Sequence, residues 1–457
     1  MNVNPITRLD YPDPDVIRVE DTYYMVSTTM HFMPGCEILQ SFDLVHWEHV
    51  TYVYETLDHT DAQQLKSGQN IYGQGMWAAS LRYHEGRFYI CFVANDTRKT
   101  YLYTSEKIDG PWKKQLIEGF YHDGSLLFDE DGRNYIVYGN DEIWITELNE
   151  DLTAPKKDGL HRLLVSDHKN PELGYEGSHI QKINGYYYIF LVHSLRDRWM
   201  RTEACFYSDS LEGEFTGGDV LCDDRGYCGQ GVAQGGIVDT PDGKWYAMLF
   251  QDSGAVGRIP ILLPVTWKDH FPVFGQNGHV PEEIEVHSTR PGYIYQPLVG
   301  SDDFCNGLLP RWQFNHDPDP RYYHLDALQG TYTITTREVC TELTQAVNTL
   351  TQRMSYPSCA AEVTVDASAL KEGDVAGLCA LQGCYAAVGI TKHHGKYEVL
   401  MLDKKEDGIL DMTEGTVVES HQMDFRLEAD FCNMKDEARC YYRVNKGDWL
   451  PIGTVHK

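Results

Sequence analysis

Short runs in which apolar and polar residues alternate dominate the first 300 positions. "TYYMVSTT", "RFYICFVA", "NYIVYGN" and "YYYIFLVHS" are rich in aromatic and β-branched residues and are bounded by Gly, Asp and Asn. This is the signature of strands joined by tight turns. The 3.6-residue periodicity of an amphipathic helix is nearly absent. One phrase recurs through the runs, as "EDTYYM", "EGRFYI", "DGRNYI", "NGYYYI" and "DGKWYA", with a shared tyrosine at 24, 89, 135, 188 and 246. Intervals of 65, 46, 53 and 58 residues suit four-stranded propeller blades, so residues 1–299 read as a five-bladed β-propeller.

The repeat also locates a site. Eleven residues before Tyr24 lies Asp13, and twelve before each later tyrosine lie Trp77, Asp123, Glu176 and Gln234. Equivalent positions on the innermost strands of a propeller converge at one mouth of its axis. Three carboxylates, a tryptophan and an amide thus share a single funnel, where a ligand pocket is expected. Any one acid could be an ordinary turn residue, because aspartate bonds its own backbone. Three in the same repeat slot repel one another, which raises the pKa of one and suits it to be a proton donor near neutral pH. Trp77 is either core or a platform for the apolar face of a sugar. Asp15, one inward position beyond Asp13, reads as a local ion-pair partner, and Asp317 of "DPDP" as a turn residue in the later region.

A protonated carboxylic acid facing an ionised carboxylate is the equipment of a glycosidase. The chain has no GxSxG elbow, HExxH, P-loop or GxGxxG sequence to support a competing chemistry. "KHHGK" at 392–396 reads as a solvated turn. The formal net charge of −29 argues against nucleic-acid or anionic-membrane partners and fits a neutral substrate. The twelve cysteines are scattered without CxxC pairs, which implies reduced thiols. With no 18-residue apolar run and no charged-then-apolar leader, the expected location is the cytoplasm.

After about residue 300, separated strands such as "GTYTITT", "CAAEVTVDAS", "YAAVGITK" and "FRLEADF" indicate an antiparallel β-sandwich over 300–457. The whole is an all-β protein of two domains.

The motifs "YPDPDVIRV", "GMWAASLRYHEGRFYI", "HDGSLLFDEDGRNYIVYG" and "YEGSHIQKINGYYYIF" resemble glycoside hydrolase family 43. The similarity is to its two-domain β-xylosidase and α-L-arabinofuranosidase members. The resemblance implies a five-bladed propeller that hydrolyses glycosidic bonds with inversion. Asp13 then matches the general base, Glu176 the general acid, and Asp123 the acid that orients substrate and tunes Glu176. Phe32 in "MHFMPG" and Arg290 in "HSTRPGY" match sugar contacts, joining Trp77 and Gln234 as substrate-binding residues. The alternative for Arg290 is a salt bridge that closes the propeller.

Relatives often carry a histidine, which helps to hold calcium, where this chain has Gln234, and another where it has Ser253. Those departures weaken the case for a histidine-bound metal, so no cofactor is required, and calcium is left open without support from the axis residues. The resemblance further implies a lectin-like sandwich whose loop closes an exo-acting pocket, in a module longer than the one ending at Lys457. The implied substrate is an oligosaccharide with a terminal β-D-xylose or α-L-arabinofuranose, and the oligomeric state is left open. An endo-arabinanase fits the appended sandwich poorly. A fructosidase would carry an asparagine-rich first-blade motif, and a non-catalytic sugar-binding propeller would lack Asp13 or Glu176.

Overall fold

The computed structural model describes residues 2–457 and contains five consecutive four-stranded antiparallel sheets. Blade one comprises Asp15–Val19, Thr22–Val26, Gly35–Ser41 and Glu48–Tyr54. Blade two runs Met76–His84, Arg87–Ala94, Lys99–Ser105 and Lys113–Ile117. Blade three runs Ser125–Phe128, Asn134–Asn140, Glu142–Leu148 and His161–Ser166. Blade four runs Glu176–Ile183, Tyr186–Ser194, Arg201–Ser208 and Thr216–Leu221. Blade five runs Val232–Asp239, Trp245–Asp252, Arg258–Lys268 and Phe271–Phe274. The first strands neighbour one another in a ring, with that of blade five against that of blade one.

Each repeat tyrosine lies on the second strand of its blade, and several bridge to the next blade. Tyr24 meets Phe88 edge-on at 5.8 Å, Tyr89 meets Phe128 at 4.6 Å, and Tyr188 meets Trp267 at 5.2 Å. Such rings bury a large area with preferred geometry, which explains why a blade-to-blade contact recurs as a sequence signature. The circle is tied where blades five and one meet. Arg18 grips Asp239 through two nitrogens, and Asn4 Nδ2 donates to the Leu262 carbonyl at 2.7 Å.

The chain divides into two compact units: 1–252 with 257–353, and 253–256 with 354–457. The compact division falls after Arg353, so residues 300–353 of the expected second domain pack within the first unit. The physical reason lies in pairing, since strand Gln313–Asn315 bonds to Phe32–Met33 and to Leu350–Thr351 within the first unit. Asp317 also needs correction as a simple turn residue. It sits in a bend but is buried, with Oδ2 bonded to His59 Nδ1 at 2.6 Å.

The second unit packs a four-stranded sheet against a five-stranded one. Strand Gln422–Asp430 shows the alternation a sandwich requires, with Met423, Phe425, Leu427 and Ala429 buried between partly exposed neighbours.

Arg353 pins its segment to blade one. Its Nη1 lies 2.9 Å from Glu37 Oε2, and its Nε donates to the Asp10 carbonyl at 2.8 Å. Replacing Arg353 by Met strands a buried carboxylate, which His49 still faces at 3.0 Å. The expected loss is about 2–3 kcal/mol, below that of an isolated buried pair, read from the urea unfolding midpoint.

Candidate active site

The backbone at the repeat slot is unusual in a way that serves the side chains. Asp13, Asp123 and Gln234 have φ of 52°, 47° and 62°, in the left-handed region. The ladders of blades two, four and five shift register at Met76/Ala79, Glu176/His179 and Ala233/Gly236. Bulges and left-handed residues re-aim a side chain at a strand end, at a cost the surrounding sheet absorbs. Gly177 is part of this device, because at φ 66° a Cβ would stand 2.7 Å from Gln234 Cγ.

Asp13 is buried and held at both oxygens. Arg258 Nη1 donates to Oδ1 at 2.7 Å, and Thr28 Oγ1 donates to Oδ2 at 2.6 Å. A guanidinium keeps its proton at all accessible pH, so Asp13 faces a permanent cation. Asp15 lies below it, with Oδ2 accepting from Leu81 N and Arg82 Nη1, each at 2.7 Å. Its Oδ1 meets His179 Nδ1 at 3.1 Å. Burial pushes the Asp15 pKa upward, yet the Arg82 and His179 charges outweigh burial and hold it below the ordinary range. Asp15 thus takes the inward position and pairs with blades two and four rather than locally.

Across the funnel, His122 stands between two acids. Its Nε2 lies 3.3 Å from Glu176 Oε2 and 3.5 Å from Asp123 Oδ2. Asn140 Nδ2 also donates to Glu176 Oε2 at 2.7 Å, and Gly177 N donates to Asp123 Oδ2 at 3.0 Å. Burial pushes Asp123 up to about 6, against the His122 charge and with the help of the Glu176 and Asp13 charges. Burial also favours neutral Glu176, but the His122 hydrogen bond and charge pull it below the usual value. Desolvation disfavours the imidazolium, yet the two carboxylates win and raise His122 to about 9. The three groups lie close enough for the titration of each to depend on the charge of the others.

The other slot residues fall where the repeat places them. Trp77, half-buried, meets His122 edge-on at 5.9 Å. Phe32 lies on the neighbouring blade-one loop, which bonds to blade two through the reciprocal Met30–Met76 backbone pair. Gln234 is buried, with its backbone N donating to Glu203 Oε2 at 2.7 Å.

Arg290 does not join them. It pairs with Asp21 at 2.8 Å and covers the Phe42 ring at 4.1 Å. Asp21 follows strand Asp15–Val19, whereas Asp13 precedes it, so Arg290 belongs to the far end of the blade. The propeller-closing salt bridge is the correct reading. The pocket arginine is Arg258, in the "GAVGR" stretch, and sequence reasoning also missed Arg201, His122 and Asn140. His122 directly precedes Asp123, which is the one local signal that was present.

Among the described residues, two groups bring potential metal donors within 4.8 Å of one another. They are the exposed Glu372, His393 and His394, and the pocket trio His122, Asp123 and Glu176. Calcium prefers six to eight oxygen ligands. A trio with one imidazole does not supply that, and the deeper carboxylate of Asp15 is already neutralised by Arg82 and His179. The residues do not fit a resident calcium ion.

A propeller funnel with one carboxyl held by a guanidinium and two others facing an imidazole has the paired carboxyls of a glycoside hydrolase. Residues 3–272 match the model of glycosyl hydrolases family 43, and the chain belongs to that family. Residues 301–457 match the beta xylosidase C-terminal concanavalin A-like domain. The chain is 28% identical to a beta-xylosidase of Formosa agariphila, over 88% of this chain and 76% of that protein. It is 26% identical to a non-reducing end alpha-L-arabinofuranosidase of Bacteroides ovatus, over 72% and 63% of the respective lengths. A solved structure described as a bifunctional GH43-CE protein of Bacteroides eggerthii superposes with a TM-score of 0.92 at 42% identity. That match covers all of this chain and 59% of the other. Among the described residues, no helix is long and apolar enough to cross a membrane.

Two outcomes test the geometry. Arg290→Ala is expected to change KM on a hydrolysed glycoside by less than twofold, whereas Arg258→Ala lowers kcat/KM by 100-fold or more (~3 kcal/mol), as loss of a charge-positioning contact does. Catalysis that needs a protonated carboxyl beside His122 is expected to fall as pH rises through about 6, the value to which burial pushes Asp123. His122→Phe removes the cation that depresses that value, so the alkaline limb of kcat/KM moves to higher pH.

Proposed function

We propose that this enzyme is an exo-acting, inverting glycosidase that releases terminal β-D-xylose, with α-L-arabinofuranose as a second accepted glycone. The carrying observation is the unequal treatment of the facing acids. Asp13 is held by the permanent cation of Arg258 and by Thr28, which suits a base that activates water. Glu176 instead faces His122, a cation that can release its proton and that also faces Asp123, which suits an acid that protonates the leaving oxygen. Asp123 also steadies the Gly177 amide beside Glu176 and so helps to orient the acid. Phe32 and Trp77 would offer apolar faces to the sugar ring. The match of the second region to a xylosidase-type module supports the exo-acting form, and relatives named for xylosides and arabinofuranosides support the two glycones.

The test compares p-nitrophenyl β-D-xylopyranoside with the α-L-arabinofuranoside at matched concentrations. Faster turnover of the xyloside is expected, and a dominant arabinofuranoside rate would reverse the order of the two activities. Proton NMR of the first product resolves the stereochemistry, and retention of configuration would rule out the Asp13 base role. Glu176→Gln is expected to lower kcat by 10³-fold or more on a disaccharide (~4 kcal/mol) while retaining sugar binding.

A further inference from the structure

Blade four presents a hairpin at the funnel mouth that the roles above leave unused. Residues 195–200 join Tyr186–Ser194 to Arg201–Ser208, closed by Leu195 N donating to the Met200 carbonyl at 3.1 Å. Register fixes its position, since Glu176 opposes Val192, Val192 opposes Glu203, and Ser194 opposes Arg201. The hairpin therefore stands at the same end of the same blade as Glu176.

Two of its side chains are unusual together. Trp199 leaves 43% of its surface exposed, although a large apolar ring at a loop tip gains nothing from water. Arg201, by contrast, is only 6% exposed, and its guanidinium carbon lies 5.1 Å from the Trp199 ring. Arg201 Nε donates to Asp252 Oδ2 at 2.8 Å, but Nη1 is buried with no acceptor among the described residues. A buried guanidinium with an unmet donor is a site waiting for an oxygen. Its fixed partner is shared, because Arg258 Nε donates to the other oxygen of Asp252 at 3.2 Å.

We infer that Trp199 and Arg201 form the subsite for the leaving-group sugar, with the indole as stacking platform and the guanidinium as hydroxyl donor. The inference rests on Glu176 being the general acid. That acid protonates the bridging oxygen, so the departing sugar must lie on its side of the funnel, and the exposed aromatic of its own blade lies there. A sugar fits both partners. Its C–H face covers an aromatic ring, and its hydroxyl oxygens accept from arginine. Phe32 and Trp77 belong to blades one and two rather than to blade four, and serve the glycone.

Isothermal titration of full-length Glu176→Gln with β-1,4-xylobiose and with xylose tests the subsite without turnover. Xylobiose is expected to bind about tenfold more tightly than xylose. Adding Trp199→Ala should reduce that advantage to threefold or less, and Trp199→Tyr should restore most of it. Equal weakening of both sugars, no weakening of either, or no xylobiose binding in Glu176→Gln would overturn the assignment. A second readout uses the otherwise native chain, in which Trp199→Ala lowers the kcat/KM ratio of xylobiose to methyl β-D-xyloside by a similar factor. A wild type that hydrolyses no glycoside would refute the proposed function instead, and the titration would still report on the subsite.

Discussion

The funnel depends on keeping three carboxylates together in a chain whose net charge is already −29. Two like charges 4 Å apart repel by about 4 kcal/mol at an effective dielectric of 20. The fold answers with cations of different kinds. Arg258 holds Asp13, Arg82 neutralises Asp15, and His122 stands between Asp123 and Glu176. A guanidinium cannot release its proton, whereas an imidazole can. Carboxyl groups in one funnel therefore meet different partners, one a permanent cation and the others a cation that can give up its proton. In the proposed reaction that choice of counter-ion separates base from acid.

Backbone geometry makes that choice possible. An ordinary strand would alternate its side chains between the faces of the sheet and aim few of them along the axis. Left-handed φ at Asp13, Asp123 and Gln234, and register shifts in three blades, turn the ends of the inner strands toward the mouth. Such conformations persist only where the surrounding structure over-determines them. The aromatic contacts between blades and the Arg18–Asp239 closure supply that rigidity. The stability of the ring and the aim of the acids are one property seen at two scales.

Repetition explains which parts were legible in the sequence. A tyrosine that cements blades recurs at a fixed offset from the funnel, so counting back from it found Asp13, Trp77, Asp123, Glu176 and Gln234. The cations carry no such offset. Arg258 begins the third strand of blade five, and Arg201 begins the third strand of blade four, where nothing in the repeat marks a pocket. Arg290 misled because its motif follows the last blade closely, while chain direction carries it to the opposite end. Residues 313–351 misled for another reason. Short alternating strands announce that they will pair but not with what, and these pair with Phe32–Met33.

Asp252 shows how the acid and base sides are joined mechanically. One oxygen holds Arg201 near Glu176, and the other holds Arg258, which in turn holds Asp13. Phe250 lies under both guanidiniums, at 5.3 and 4.8 Å. This wall is rigid because each arginine uses its Nε on the same carboxylate and its flat face on the same ring. The opposite wall, His122 with Asp123, is the one that exchanges protons. A substrate between them meets fixed charge on one side and mobile protons on the other. The inverting reaction proposed above would use that combination, with water activated beside the Arg258–Asp13 pair and a leaving oxygen supplied from a group that can be reloaded. Under that proposal the wall through Asp252 sets where the sugar lies, and the wall through His122 sets when the bond can break.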